Sequence, residues 1–123
     1  MHHNHLIAQG SVSNPPTDCE VIESWMGDLI QSLGMSPLIS PKAAYCETIG
    51  NRGVTCISAI ETSHIVLHVW DETEVGSFQL DVYTCSNLDL EVVWSAIKVF
   101  QADNIQYKFY DRKSGFKLIG ESE

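Results

Sequence analysis

Basic residues are scarce in this chain, and their scarcity limits what it can bind. Only 7 lysines and arginines stand against 16 aspartates and glutamates, giving a formal net charge of -9 over 123 residues. No basic patch is available to release counterions from nucleic acid or from an anionic membrane surface. We therefore expect neither a nucleic-acid partner nor a membrane partner.

Long hydrophobic runs and a cysteine framework are also missing. No apolar stretch approaches the roughly 20 residues that a membrane-spanning helix needs. The N-terminus has no basic segment followed by an apolar core, so no secretory signal is predicted. The cysteines (Cys19, Cys46, Cys56 and Cys85) form no CxxC pair and are expected to be reduced thiols. These absences favour a cytoplasmic protein.

Histidines are concentrated at the N-terminus, where His2, His3 and His5 lie within the first five residues. Such a group could bind a metal, but no acidic or cysteine ligand lies close to it in the sequence. His5 is better explained as the start of a first strand that continues to Ala8. We expect no metal site.

Residues 53–85 contain the most strand-like part of the sequence. Residues 54–60 are rich in β-branched and small apolar residues, and residues 64–70 and 78–85 alternate between two kinds of side chain. In the middle segment, one face carries His64, Val66, His68 and Trp70. A sheet built from these segments has one apolar face for helices to cover. Its second face carries histidine, tryptophan, aspartate and cysteine, and is where function is expected.

Two helices are predicted to cover the apolar face. Thr17 followed by Glu20 has the spacing of a capping box at the start of the first helix. Gly34 is a suitable stop for that helix. Ser86 or Asn87 is placed to cap the second helix.

The remaining segments complete a two-layer arrangement. Residues 38–39 are extended between prolines and indicate an edge strand, while residues 105–110 and 116–119 indicate two more strands. The fold class is therefore α+β, a two-layer sandwich with a mainly antiparallel sheet and two helices packed on one face. No linker divides the sequence, so residues 1–123 are expected to form a single domain.

Four segments resemble the prokaryotic-type S-adenosylmethionine decarboxylase proenzymes. They are HLIA from His5, GVT from Gly53, SHIVLHVW from Ser63 and DVYTC from Asp81. The resemblance extends from His5 to about Phe109. It implies a self-cleaving proenzyme that makes its own pyruvoyl cofactor. It also implies a homodimer of processed protomers whose sheets pack face to face.

The same resemblance implies a role for each residue of the site. The Ser63 hydroxyl attacks the carbonyl of Thr62, and loss of the Cα proton of residue 63 then leaves a pyruvoyl group. His68 is the base for that proton, and the hydroxyl of Thr55 stabilises the intermediate. The pyruvoyl ketone forms a Schiff base with the substrate amine and accepts the electrons left by carbon dioxide. Cys85 then reprotonates the substrate carbon as a general acid.

The implied substrate is S-adenosylmethionine, decarboxylated to supply aminopropyl groups for spermidine and other polyamines. Trp70 is expected to stack on the adenine, and Glu72 to bind the ribose hydroxyls. The family tends to carry a second aromatic near position 49, where this chain has Ile49. It normally has glutamate before the cleavage serine, where this chain has Thr62.

These departures leave two alternatives open. The first is a pyruvoyl-dependent decarboxylase of another amino acid, which is favoured if the adenine pocket has been lost. The second is an unprocessed, inactive relative that acts as a binding or regulatory subunit, which is favoured if the chain never cleaves.

Overall fold

A computed structural model describes residues 2–123, which form seven strands and two α-helices. In chain order these are β1 (Asn4–Val12), α1 (Cys19–Ser32), β2 (Pro37–Cys46), β3 (Gly53–Ile60), β4 (Ser63–Trp70), β5 (Gly76–Thr84), α2 (Leu90–Ile97), β6 (Ala102–Asp111) and β7 (Lys117–Glu121). A short 3-10 turn, Lys98–Phe100, directly follows α2.

The strands form one sheet in the order β2-β3-β4-β5-β1-β6-β7. Each neighbouring pair is antiparallel. Strand β1 lies between β5 and β6, so the start of the chain is inserted among strands from its second half. The predicted antiparallel sheet is confirmed.

Alternation along the strands gives the sheet two different faces, as the sequence predicts. The inward side chains of the central strands β4 and β5 are buried: Ile65, Leu67, Val69, Phe78, Leu80 and Val82. Both helices contribute to the same core, through Ile22, Met26, Leu29 and Ile30 of α1 and Val93 and Ile97 of α2. The indole N–H of Trp25 donates to the carbonyl of Ala96 at 2.8 Å and joins the two helices. The α+β two-layer sandwich is therefore confirmed.

Helix α1 begins one residue later than its predicted capping box. Asp18, and not Thr17, is the N-cap, and its carboxylate accepts from the backbone N–H groups of Glu20 at 2.8 Å and Val21 at 3.2 Å. Asp18 has the extended backbone that an N-cap requires. The Thr17 prediction is wrong, although the helix lies where it was expected.

Helix α2 differs from the prediction in the same way. Asp89 caps it by accepting from the backbone N–H of Glu91 at 3.0 Å. The predicted caps, Ser86 and Asn87, lie before the helix and are wrong. An aspartate at this position also places negative charge at the positive end of the helix dipole.

Strand β2 is longer than the predicted edge segment, because it continues through Pro41 to Cys46. Its pairing with β3 shifts register between Ile39 and Lys42. Proline has no N–H to give to a ladder, so a bulge in an edge strand is a position that tolerates it. β2 is an edge strand, as expected.

Glycine at position 53 allows β3 to begin very close to β4. A Cβ added there would lie 1.7 Å from the carbonyl oxygen of Val69, and the φ of Gly53 is +154°. Any side chain would therefore force the strands apart at this point. The close approach brings the turn before β3 next to Trp70. Within residues 2–123, neither helix has the length and apolar character needed to cross a membrane.

Candidate active site

The face of the sheet opposite the helices carries three of the residues that the sequence singles out. Thr55, His68 and Trp70 lie on it and are half-buried. Two aliphatic side chains also lie on this face and are largely exposed, Ile7 at 47% and Ile57 at 51%. The face is therefore an open surface that combines polar, aromatic and aliphatic groups.

A tight hairpin between β3 and β4 holds the predicted cleavage bond. Ile60 pairs with Ser63, so the loop consists of Glu61 and Thr62 alone. Thr62 has a φ of +56°, in the left-handed region. Ser63 is the first residue of β4 and immediately follows this turn.

Cys85 contacts both of the groups that would react at this hairpin. Its backbone N–H donates to the Ser63 hydroxyl oxygen at 3.1 Å, which leaves the serine O–H free to donate elsewhere. Its thiol donates to the carbonyl oxygen of Thr62, also at 3.1 Å. A donor on this carbonyl stabilises the negative charge that develops when a nucleophile adds to its carbon. The structure thus brings Thr62, Ser63 and Cys85 together.

Thr55 and His68 form a second group on the same face. They lie directly opposite one another on β3 and β4, with the threonine Oγ1 2.9 Å from the histidine Nδ1. If Nδ1–H donates to the hydroxyl oxygen, the Nε2 lone pair of His68 is free to accept a proton. The geometry is therefore compatible with the base role implied for His68.

Trp70 extends this second group toward the end of β4. Its ring lies 6.0 Å from the His68 ring, between centroids, and its indole N–H donates to the amide oxygen of Asn51 at 2.7 Å. A hollow of about 360 Å³ is lined by Cys46, Asn51, Gly53, Thr55, His68, Val69, Trp70 and Gln79. Sequence reasoning missed Asn51, and nothing in its local pattern signals this contact. A larger hollow of about 520 Å³ on the face, near β1 and β6, contains none of the predicted site residues.

Ile49 and Glu72 lie in the two loops beside Trp70. Both carboxylate oxygens of Glu72 accept from the backbone N–H of Gly50 at 2.9 Å. Ile49 is 87% exposed. The structure thus places both predicted substrate-binding residues at the same end of the sheet. Their roles in binding stay predictions.

Tyr45 anchors this region from the neighbouring strand β2. Its hydroxyl donates to the carboxylate of Asp71 at 2.8 and 2.9 Å. The hydrogen bond that the Tyr45 hydroxyl donates to Asp71 is the main cause that raises the pKa of Tyr45 above its ordinary value. The bond links the β4–β5 loop to β2.

The two groups lie at opposite ends of β4 and do not meet within one chain. Ser63 and His68 are five residues apart on one extended strand, which corresponds to about 16–17 Å. A separate hollow of about 350 Å³ adjoins Ser63 and Cys85, and none of its lining residues borders the hollow at His68. His68 therefore cannot act on Ser63 of its own chain.

A hydrogen-bonded network at the centre of the face was missed by sequence reasoning. Asp81 accepts from the Nε2 atoms of His5 and His64 at 2.8 and 2.9 Å, on three adjacent strands. Burial of the Asp81 carboxyl acts to raise its pKa, but the bonds from the two histidines outweigh burial and hold the pKa below its ordinary value. Strand alternation places His64 and Asp81 on this face, but the position of His5 beside them depends on the strand order.

This network has the composition of a metal site but the geometry of a hydrogen-bonded one. The ligand atoms of His5, His64 and Asp81 all lie within 4.8 Å of one another. However, the guanidinium of Arg112 lies 3.1 Å from Nδ1 of His5, and arginine can only donate. His5 must therefore accept at Nδ1 and carry its proton on Nε2, the atom a metal would need.

The architecture places residues 2–123 in the α+β two-layer sandwich class. The fold matches the solved structure of the adenosylmethionine decarboxylase from Aquifex aeolicus VF5, with a TM-score of 0.71. The match covers 99% of this chain and 96% of the other at 17% identity, and it shows a shared fold. No curated protein matches the chain closely enough to count as a relative.

The family model for S-adenosylmethionine decarboxylase matches residues 4–113 of the chain. The chain belongs to the S-adenosylmethionine decarboxylase family and is accordingly a carboxy-lyase. The resemblance carried by His5, Gly53, Ser63 and Asp81 is confirmed. The role of this decarboxylase activity in polyamine synthesis follows from membership of the family.

Proposed function

We propose that this protein is a proenzyme that cleaves itself between Thr62 and Ser63 and then decarboxylates S-adenosylmethionine with the pyruvoyl group formed. One observation carries the proposal, the contact of Cys85 with both reacting groups. It holds the Ser63 oxygen and the Thr62 carbonyl, each at 3.1 Å. This arrangement supports attack of one group on the other.

Cleavage needs no external oxidant or reductant. The Ser63 oxygen bonds to the Thr62 carbonyl carbon, the C–N bond breaks, and the nitrogen takes the hydroxyl proton. A base then removes the Cα proton of residue 63, the Cβ–O bond breaks, and Thr62 leaves as a carboxylate. Water replaces the nitrogen at the α carbon, which releases ammonia and leaves a ketone.

The residues around Ser63 fit the group that would form there. The pyruvoyl group would keep the carbon atoms of Ser63 and take its keto oxygen from water, so it would remain at the start of β4 beside Cys85. When present, it would supply a sink for the electron pair that carbon dioxide leaves behind on the substrate. The half-buried thiol of Cys85 lies at the same end of the sheet and can deliver a proton to the substrate carbon.

The separation of Ser63 and His68 supports a homodimer. If two sheets pack face to face about a two-fold axis near the midpoint of Ile65 and Val66, the backbone at Ser63 lies opposite that at His68 of the partner subunit. Each site then takes its cleavage bond from one chain and its base from the other. The exposed side chains of Ile7 and Ile57 would be covered by the same packing.

The substrate proposal rests on the Trp70 end of the sheet. S-adenosylmethionine carries a sulfonium cation and an adenine, and aromatic faces attract both. Trp70 offers such a face, and Glu72 in the adjacent loop offers a carboxylate. The net charge of -9 also favours a cationic ligand. The four cysteines are unpaired, which supports the proposed cytoplasmic location.

Intact-mass measurement of the purified protein tests the cleavage. We expect two chains, residues 1–62 and 63–123, the second blocked at its N-terminus by pyruvoyl. Ser63→Ala, the matched control, should remain one chain. A wild-type protein that keeps its full mass after prolonged incubation at neutral pH would overturn the proposal and favour the inactive-relative alternative. Cleaved protein that releases carbon dioxide only from ornithine, arginine or lysine would instead reassign the substrate.

A further inference from the structure

Thr62 adopts a backbone conformation that is unfavourable for its type of side chain. Among residues 2–123, the non-glycine residues with positive φ are Thr62, Gln101 and Asn104, at +56°, +53° and +52°. Asparagine tolerates the left-handed region, and an exposed glutamine is unbranched at Cβ. For a β-branched residue such as threonine this conformation is a genuine outlier. Thr62 is therefore the most strained of the three.

The surrounding structure holds Thr62 in this conformation. It is one of only two residues between the paired strands β3 and β4, so the ladder determines its path. Its carbonyl accepts from the Cys85 thiol at 3.1 Å, and its hydroxyl donates to the Glu61 carbonyl at 2.7 Å. A two-residue hairpin normally uses asparagine or glycine where φ is positive. Strain of this kind persists only where several contacts enforce it.

We propose that the left-handed strain at Thr62 drives self-cleavage, which makes Thr62 a positioning residue for the adjacent bond. The inference rests on the proposed function, because it concerns the rate of the Thr62–Ser63 cleavage. When the Ser63 oxygen adds, the carbonyl carbon becomes tetrahedral and the planar amide constraint on the turn is lost. The C–N bond then breaks as the nitrogen takes the hydroxyl proton. The hairpin no longer enforces the conformation of Thr62, so part of its strain is released as the acyl group transfers.

Substitutions that relax the turn should therefore slow cleavage while stabilising the uncleaved fold. Thr62→Asn introduces a residue that tolerates the left-handed region. Cleavage should be slower by a factor of up to about 5–30, which corresponds to release of the whole strain in the transition state. In the Ser63→Ala background, which cannot cleave, Thr62→Asn should raise the Tm by about 2–6 °C at matched protein concentration. Replacement of a residue with a purely structural role would not lower the cleavage rate and raise the Tm together.

Two further variants separate strain from other effects. Thr62→Val keeps the β-branch and removes the hydroxyl, so it should cleave faster than Thr62→Asn. Gln101→Gly relaxes a left-handed residue away from the hairpin and should leave the cleavage rate unchanged. Rates are followed by intact mass from freshly refolded chains.

Each outcome either supports the inference or overturns it. Slower cleavage together with a higher Tm for Thr62→Asn supports it. A wild-type cleavage rate in Thr62→Asn, a lower Tm, or a loss in Thr62→Val equal to that in Thr62→Asn overturns it while self-cleavage stands. If the wild-type chain does not cleave at all, the proposed function fails, and this inference fails with it.

Discussion

The two ends of strand β4 differ in their local structure. At its start, Ser63 follows a two-residue turn, and Cys85 from the end of β5 reaches the bond that precedes it. At its far end, His68 and Trp70 are regular strand residues held by partners in the ladder and in a loop. In the proposed mechanism, the strained end supplies the nucleophile but no base. The other end is regular strand and would supply the base and an aromatic face, but no bond to cut.

Under the proposed mechanism, this difference means that one chain alone does not contain a complete site. A regular β-strand cannot fold back to join its own ends, so the distance between Ser63 and His68 cannot be closed by local movement. In the proposed homodimer, a second copy related by a two-fold axis would exchange the ends and close both gaps at once. The open face of the sheet is the surface on which that exchange can take place.

Mixing two inactive chains gives the largest expected effect, from no cleavage to cleavage. Ser63→Ala and His68→Ala should each remain uncut alone. When they are unfolded together and refolded, the His68→Ala chain should be cut, because it can use His68 of the partner subunit. Mass differences identify which chain is cut. A matched mixture of His68→Ala with the Ser63→Ala/His68→Ala double variant should stay intact. Native mass spectrometry shows whether mixed dimers form. Mixed dimers that remain uncut would contradict a site shared between subunits.

Replacement of the Cys85 thiol should have the next largest effect. Cys85→Ser puts a much poorer acid at the same place, and turnover per cleaved chain should fall by about 10²–10⁴-fold. Measurement of carbon dioxide release against the cleaved fraction separates this effect from slower processing. Cys19→Ser, on helix α1, is the control and should keep turnover. An unchanged rate in cleaved Cys85→Ser would reduce Cys85 to a packing residue.

An aromatic at position 49 should improve substrate binding by a smaller factor. Ile49 is largely exposed beside Trp70, so Ile49→Phe is accommodated without repacking. A second stacking partner contributes about 0.5–1.5 kcal/mol, which lowers the Michaelis constant for S-adenosylmethionine by roughly threefold to tenfold. Val99→Phe, at another exposed position on the helical side, should not change the Michaelis constant. If Ile49→Phe and wild type have the same Michaelis constant, the adenine does not bind beside residue 49.

The smallest effect should come from the network that lies between the two ends. The Asp81 pKa is lowered on folding, so ionised Asp81 stabilises the fold above its ordinary pKa of 3.8. That contribution is lost as pH falls below 3.8 through the folded pKa. Asp81→Asn should therefore be less stable than wild type at about pH 6, with a difference that shrinks in acid. Urea unfolding across this range measures it. A difference that does not change with pH would show that the charge on Asp81 is unimportant.

Periodicity in the sequence predicts the layers of this fold well because it reports local geometry. The alternation of His64, His68 and Trp70 with buried aliphatic residues is a direct consequence of strand geometry. Helix starts are less certain, since Thr17 and Asp18 are both good caps and only the backbone conformation decides between them. Tertiary pairing decides whether a strand continues through Pro41.

The site is less predictable because it depends on which strands are neighbours. Ser63 and His68 are close in sequence and share a motif, yet a strand holds them far apart. His5 joins Asp81 because β1 lies beside β5, and no local pattern encodes that order. The family resemblance supplied the roles of the residues, whereas the structure supplied their separation.

The position of β1 has a further consequence for the mature protein. Cleavage between Thr62 and Ser63 would leave β1, β2 and β3 in one fragment and the other four strands in the second. Because β1 is flanked on both sides by strands of the second fragment, three strand junctions would join the pieces: β3–β4, β5–β1 and β1–β6. The pieces are interleaved and cannot separate without dismantling the sheet. Unfolding would then release two peptides whose reassociation depends on concentration. The cleaved protein would therefore persist because it unfolds slowly, and it would refold poorly once denatured.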